Sequence, residues 1–163
     1  MNAPAQPRLA QDAPAHDPAV EALYDRVFGP GRFAKVSYRV REGAGCLYGP
    51  SRLAWRGERL VGACRLWSAR CGPDPIAFLG PLAVDGGERG GGLGAALTIA
   101  ACEAAEAQGA RTILLVGDLA FFARCGFERA QAGAIILPGP VDAARVLLRG
   151  APVTGLVTGA QPT

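Results

Sequence analysis

Apolar and polar positions divide the chain into a regular series of elements. Val20, Leu23, Tyr24 and Val27 recur at helical spacing behind Asp17-Pro18, a pair suited to a helix start, and Gly29-Pro30-Gly31 stops them. Phe33, Val36, Ser37 and Val40 predict a second helix through about Arg41, with Arg32, Lys35, Arg39 and Arg41 facing solvent. Residues 52–55 read as a strand, 56–59 as a hairpin turn and 60–67 as the returning strand, with Trp55 and Trp67 expected in the core. Residues 71–75 read as a loop and 76–84 as the next strand. A helix is expected over 92–108, turning Leu93, Ala96, Leu97, Ala100, Ala101 and Ala104 to the sheet, and Gly109 ends it. Residues 112–116 form a buried strand and 119–124 a short helix capped by Asp118 and ended by Gly126. Phe127 begins another strand, and 135–137 and 145–148 supply two more. Residues 1–16, rich in alanine and proline, are expected as a flexible arm, with one folded domain over 17–163. The class is α/β (α+β): a mixed central sheet flanked by helices, with one crossover.

One strand carries a defect. Gly80-Pro81 interrupts residues 76–84. Proline cannot donate to a ladder and glycine weakens a strand, so a bulge or splay is expected there. A splay leaves amides and carbonyls free that a regular ladder would consume. The same strand runs into Asp85-Gly86-Gly87-Glu88-Arg89-Gly90-Gly91-Gly92-Leu93-Gly94 and then the alanine-rich helix. The first amides of a helix have no internal partner, and the helix dipole adds partial positive charge. A glycine loop in front of them makes a site for a phosphate or pyrophosphate.

Composition narrows the partners. At 163 residues, half hydrophobic and 19% charged, the chain fits one globular domain. Apolar runs are broken before membrane-spanning length, and residues 1–11 lack the apolar stretch of a signal peptide, so no membrane partner is expected. The net charge of +3 comes from scattered arginines rather than a basic stripe, which argues against nucleic acid. Five cysteines without a Cys-x-x-Cys suggest a reducing cytoplasm. His16 is the only histidine, so a zinc site or histidine triad lacks its usual parts and no metal is expected.

Three kinds of phosphate loop are worth weighing. The ATP and GTP type ends in Gly-Lys-Ser/Thr, but Lys35 is the only lysine and lies far away. The dinucleotide type, G-x-G-x-x-G/A, is matched by Gly90, Gly92 and Ala95, with Asp118 near the place of a ribose-binding acid. That fold needs several βα units starting early in the chain, whereas this loop follows a hairpin at mid-chain. The third type, Arg/Gln-x-x-Gly-x-Gly/Ala, is matched in register by Arg89, Gly92 and Gly94. This third match resembles the acyl-coenzyme A loop of the GNAT superfamily of N-acetyltransferases. The surrounding order is similar too: Leu79 to Val84, the loop, the helix, Leu114 to Asp118, and Phe121 to Phe127. Leu137-Pro138-Gly139-Pro140 is similar to the YhbS-like subgroup. The resemblance spans roughly residues 17–157.

The resemblance implies acetyl transfer from acetyl-coenzyme A (acetyl-CoA) to an amine, by direct attack within a ternary complex. It implies that Leu82, Ala83 and Val84 pair with the pantetheine arm, that the Leu82 amide faces the thioester oxygen, and that Arg89, Gly90, Gly91, Gly92, Leu93, Gly94 and Ala95 hold the pyrophosphate. Asp118 lies beside the splay, and Phe121 and Phe122 are placed at the thioester end. The acceptor is expected to be a small amine, and a homodimer is compatible with this scheme. In the family a tyrosine often stands four residues before the glycine of the Gly-Phe pair, as proton donor. Here that position is Phe122, which cannot donate. Tyr24, Tyr38, Tyr48 and Cys125 are the possible substitutes, and Asp74, Glu42 and Glu21 the candidate bases. A non-catalytic acyl-CoA binding or sensing module is the alternative that Phe122 keeps open, and an NAD-binding protein is the remote one.

Overall fold

A computed structural model describes residues 5–162. A nine-stranded sheet is flanked by helices on both faces. The strands are β1 (Arg8–Gln11), β2 (Arg52–Arg56), β3 (Arg59–Cys71), β4 (Asp74–Val84), β5 (Thr112–Val116), β6 (Glu128–Arg129), β7 (Ile135–Ile136), β8 (Val146–Gly150) and β9 (Gly155–Gly159). The helices are α1 (Asp17–Phe28), α2 (Val36–Glu42), α3 (Leu93–Ala107) and α4 (Leu119–Phe122). The sheet order is β1-β2-β3-β4-β5-β8-β6; β9 continues the edge of β3 beyond the end of β2, and β7 pairs β9. Antiparallel hairpins dominate, and β4–β5 is the parallel pair that the α3 crossover requires. A doubly wound parallel sheet, which the dinucleotide alternative needs, is not what forms.

Most expected elements are present, and the departures have local causes. The β3–β4 hairpin is longer than expected because Gly72, at φ 56°, opens a two-residue turn where a loop was foreseen. The predicted second helix splits into a 3-10 turn, Pro30–Ala34, and α2. On α3 the buried side chains are Leu93, Leu97, Thr98, Ala101, Cys102 and Ala105, whereas Ala96 is exposed and Ala100 and Ala104 are half-buried. Leu97 sits against Gly62, where a β-carbon would lie 2.7 Å from its Cδ1, so α3 approaches the sheet only because β3 has a glycine there. β9 carries too few apolar residues between its glycines to stand out in the sequence.

The flexible-arm expectation for residues 1–16 fails over the part described. Arg8–Gln11 pairs with β2, and Pro14–His16 forms a 3-10 turn. Residues 1–4 and 163 lie outside the described residues. The cause is a buried charge that sequence periodicity does not reveal. Arg65 points from β3 into the α1 face of the sheet and is 2% exposed, while Asp12 is 1% exposed. Arg65 Nε donates to Asp12 Oδ2 at 2.8 Å, and its Nη2 donates to Asp17 Oδ1 at 2.7 Å. Tyr48 Oη in turn donates to Asp17 at 3.0 Å. A guanidinium at this depth needs its counter-ion, so the N-terminal segment is drawn onto the sheet.

Removing one partner of a buried pair costs about 3–5 kcal/mol because the other charge is stranded. Asp12→Ala is therefore expected to lower stability by about 3 kcal/mol in urea unfolding. Asp12→Ala with Arg65→Met should recover most of that loss. Equal destabilisation of the single and double variants would show that the pair does not hold the segment.

Candidate active site

The site begins at the defect in β4. Leu66 pairs with Leu79 and Cys64 with Leu82, so Gly80 and Pro81 together oppose Arg65. The Gly80–Pro81 peptide is cis. The bulge reverses which side chains face α3: Ala77 and Leu79 before it, Leu82 and Val84 after it. Its two carbonyls find side-chain donors. Trp67 Nε1 donates to Gly80 O at 2.7 Å, and Tyr24 Oη donates to Pro81 O at 3.2 Å. Trp67 and Trp55 are half-buried rather than core residues.

β4 and β5 pair only at Ala77–Ile113 and Phe78–Leu114. Beyond these two pairs the strands part, and a cavity of about 770 Å³ opens. Its walls include Leu79 to Leu82 from β4, Leu115 to Asp118 from β5, Phe121 and Phe122 from α4, and residues of the α1–α2 region. Residues 82–84 are laddered to β3 alone, so their outward backbone groups face the splay.

The glycine loop lies at the end of β4. Gly90 and Gly92 have φ of 87° and 78°, in the left-handed region, and neither has a heavy atom within 4 Å of where a β-carbon would be. Both glycines are thus required by backbone conformation, with open space above them. Gly92 caps α3, and no side chain bonds the first amides of the helix. The loop carboxylates are tied away from it. Glu88 accepts from Arg56 at 2.8 and 2.7 Å, and Asp85 from Arg59 at 2.8 Å. These pairings hold both carboxyls below their usual range. Arg89 is exposed. The cradle therefore fits an anionic group: free helix amides, space at two glycines, an arginine beside them, and acids already neutralised.

The other predicted residues fall into separate roles. Phe121 reaches across to the start of α3, where a β-carbon on Gly94 would lie 3.2 Å from its Cζ. Phe122 packs on Gly117 and lies 5.8 Å from Phe127, centroid to centroid. Both rings are half-buried and line the cavity, so they anchor α4 and wall the cleft at once. Asp118 is exposed at the cleft and caps α4 by accepting from Ala120 N at 3.1 Å.

None of the substitute proton donors lines the cleft. Tyr48 is bonded to Asp17, Tyr38 packs against the Arg41 guanidinium, and Tyr24, its hydroxyl pushed well up by burial, donates to the Pro81 carbonyl. Cys125 is buried in the core beside α3. Among the candidate bases, Glu21 is held by Arg32 at 2.6 Å, Glu42 is exposed, and Asp74 lines a different cavity with Pro75 and Thr112. The expectation that Arg32 and Arg41 face solvent is also overturned, since both are buried. Arg32 bonds Glu21 and Asp25, and Arg41 lines the cleft. With Lys35, Arg39 and Arg145 it forms a cationic wall that the sequence reading missed. The four cationic residues between positions 32 and 41 were the available signal, but Arg145 is distant in sequence.

The model of the acetyltransferase (GNAT) family matches residues 13–127, more than half of the chain. The chain belongs to the GNAT acetyltransferase family. No curated protein matches. Among solved structures, this GNAT chain is similar to YhbS from Escherichia coli, a GNAT family N-acetyltransferase in complex with CoA, with TM-score 0.79 and 24% identity over 98% of this chain and 93% of that one. It is similar to a GNAT family acetyltransferase from Brucella melitensis in complex with acetyl-CoA, with TM-score 0.67 and 16% identity over 94% and 95%. Arabidopsis thaliana Naa50, in complex with the bisubstrate analogue CoA-Ac-MVNAL, gives TM-score 0.63 and 17% identity over 90% and 100%. At these identities the three neighbours establish the fold of this GNAT domain. No helix among the described residues is long and apolar enough to cross a membrane.

All five cysteines are free thiols, and burial pushes each of them up, Cys46 and Cys102 to about 12. The native state thus favours the protonated thiol. That contribution to stability is complete below the ordinary thiol value of 9.0 and is lost as pH rises towards about 12. Native protein at pH 8 is expected to react with an aromatic disulfide at least tenfold more slowly than urea-unfolded protein, with the rate climbing past pH 10. A fast-reacting thiol at neutral pH in folded protein would contradict this placement.

Proposed function

We propose that the protein is an N-acetyltransferase that moves the acetyl group of acetyl-CoA to an amine within a ternary complex. The observation that carries this is the continuity of the β4–β5 splay with the left-handed glycine loop and the uncapped start of α3. Residues 82–84 offer an unpaired strand edge to the pantetheine arm, and residues 89–95 offer backbone amides and Arg89 to the pyrophosphate. Acetyl-CoA supplies an activated thioester: the amine nitrogen forms a bond to its carbonyl carbon, the C–S bond breaks, and the sulfur leaves as a thiolate that takes up a proton.

The chain's own contribution is alignment and polarisation. The Leu82 amide serves as donor to the developing oxyanion, held by the bulge that Trp67 and Tyr24 fix. Phe121 and Phe122 exclude water at the thioester end. Holding the two substrates in line is the largest effect available to a site without a proton donor in place. Asp118 is the carboxylate on the cleft wall and serves proton release through water. Five free cysteines support a reducing, cytoplasmic setting.

The rings of Phe121 and Phe122 at the site where the family often has a tyrosine favour a second reading, a module that binds acyl-CoA without turnover. Phe122→Tyr separates the two. If the protein is a slow enzyme, the hydroxyl is expected to raise the rate of CoA release by about a hundredfold, at the low end of acid–base contributions. Tight acetyl-CoA binding with no turnover in either form, across a broad amine panel, would favour the sensor.

Calorimetric titration with acetyl-CoA is expected to show saturable one-site binding, abolished by Gly92→Glu, whose side chain brings charge and bulk to the helix start. NADH titrated alongside should give no heat of binding. Failure of folded protein to bind acetyl-CoA would remove the acetyltransferase proposal.

A further inference from the structure

The cleft carries an excess of positive charge at the end away from the glycine loop. Arg41 is 8% exposed and lines the cavity, with its Nη1 next to Gly80, 3.7 Å from where a β-carbon would stand. Among the described residues its guanidinium makes no hydrogen bond and no ion pair; its neighbour is the Tyr38 ring, 5.7 Å from Cζ to centroid. Arg39, Lys35 and Arg145 line the same cavity. Arg39 donates to the Pro138 carbonyl at 3.1 Å, and the Lys35 ammonium lies 5.0 Å from the Phe28 centroid. Arg32 also lines it but is neutralised by Glu21 and Asp25. Against these cations the cavity wall presents one carboxylate, Asp118, engaged in capping α4.

A buried guanidinium with no hydrogen-bonded counter-ion is costly; the Arg32 charge adds to that cost and the Glu21 carboxylate offsets part of it. Arg65 shows the alternative within the same chain: equally deep, it is met by two aspartates. Burial brings the Arg41 guanidinium down to about 10, which still leaves it charged at neutral pH. The phosphates of a coenzyme do not account for it, because residues 89–94 are absent from this cavity's wall.

Building on the acetyl-transfer reading, we propose that the acceptor is a small amine that also carries a carboxylate or phosphate, received by Arg41 with Lys35, Arg39 and Arg145 around it. The cavity, about 770 Å³ for both the thioester end and the acceptor, holds a small molecule. One residue of the bulge separates Gly80 from Leu82, so the anionic group and the amine stand a few bonds apart. The same cations repel polyamines and other purely cationic acceptors. They also disfavour the ammonium form of the nucleophile, which eases the proton release that Asp118 serves through water.

The test uses matched acceptors and a crossed pair of variants. CoA release is followed at saturating acetyl-CoA for 4-aminobutanoate against 4-aminobutanamide and 1,4-diaminobutane, and for 2-aminoethyl phosphate against ethanolamine. Glutarate, which has no amine, is titrated calorimetrically as a non-reacting probe of the anion site. The anionic amines are expected to exceed their partners at least tenfold in kcat/KM. Arg41→Gln should erase that preference through KM and abolish glutarate binding while leaving acetyl-CoA binding unchanged and without lowering the unfolding midpoint. Arg41→Lys should restore part of it, and Arg145→Gln, at an exposed position, should weaken it if Arg41→Gln folds poorly. Gly92→Glu should do the reverse, losing acetyl-CoA and keeping glutarate. Glutarate binding without acetyl-CoA binding supports the anion site while removing acetyl transfer. Acetyl-CoA binding without glutarate binding, glutarate binding indifferent to Arg41→Gln and Arg145→Gln, or neutral or dicationic amines matching their anionic partners would overturn the proposal.

Discussion

The Gly80 carbonyl accepts from the Trp67 indole and the Pro81 carbonyl from the Tyr24 hydroxyl, and the geometry of the cleft depends on these two bonds. A bulge beside a parallel neighbour exposes backbone polar groups that must be satisfied. Side chains from β3 and α1 satisfy the two carbonyls, so β4 can leave β5 after two residue pairs without stranding them. The cavity, the free strand edge at residues 82–84 and the approach to the glycine loop follow from that separation. The wall of the site is thus fixed by elements that lie behind it.

Charge is distributed on the same principle. Where an ionic group supports the fold, its partner is present: Arg65 with Asp12 and Asp17, Arg32 with Glu21 and Asp25, and Glu88 and Asp85 with arginines of the β2–β3 hairpin. The last set matters for the coenzyme cradle, since free carboxylates beside a helix start would oppose an incoming anion. Exposed pairs of this kind contribute little stability. Their effect is to fix the loop and neutralise its acids. Arg41 breaks the pattern by being buried without an anion, and it does so at the cavity, where a ligand can reach it.

Phe121 and Phe122 join packing to the site. Their contacts with Gly94 and Gly117 show why those glycines stand at the starts of α3 and α4: a β-carbon at Gly117 would lie 2.6 Å from the Phe122 ring, and one at Gly94 3.2 Å from that of Phe121. The cleft is consequently bounded by a rigid aromatic wall on one side and a cationic one on the other, with Asp118 between β5 and α4.

Local signals in the sequence determined the order of elements, the glycine loop before a helix, and the weak point at Gly80-Pro81. Each depends on the conformational preference of a few adjacent residues: left-handed φ at Gly90 and Gly92, a missing donor at Pro81, helical spacing along α1. The GNAT family was legible because its motif lies within one stretch of chain. The partners of the bulge were not legible, because Tyr24 reaches Pro81 only when α1 docks on the sheet, and Trp67 reaches Gly80 only when β3 pairs with β4. Nor were the N-terminal strand and the cationic wall. Asp12 is a turn residue until Arg65 buries it, and Arg41 reads as a helix-surface cation until the sheet covers it. Burial of a charge is a property of the surrounding fold, and only the tertiary structure decided which of the scattered arginines would be paired, which would be solvated, and which would wait at the cleft.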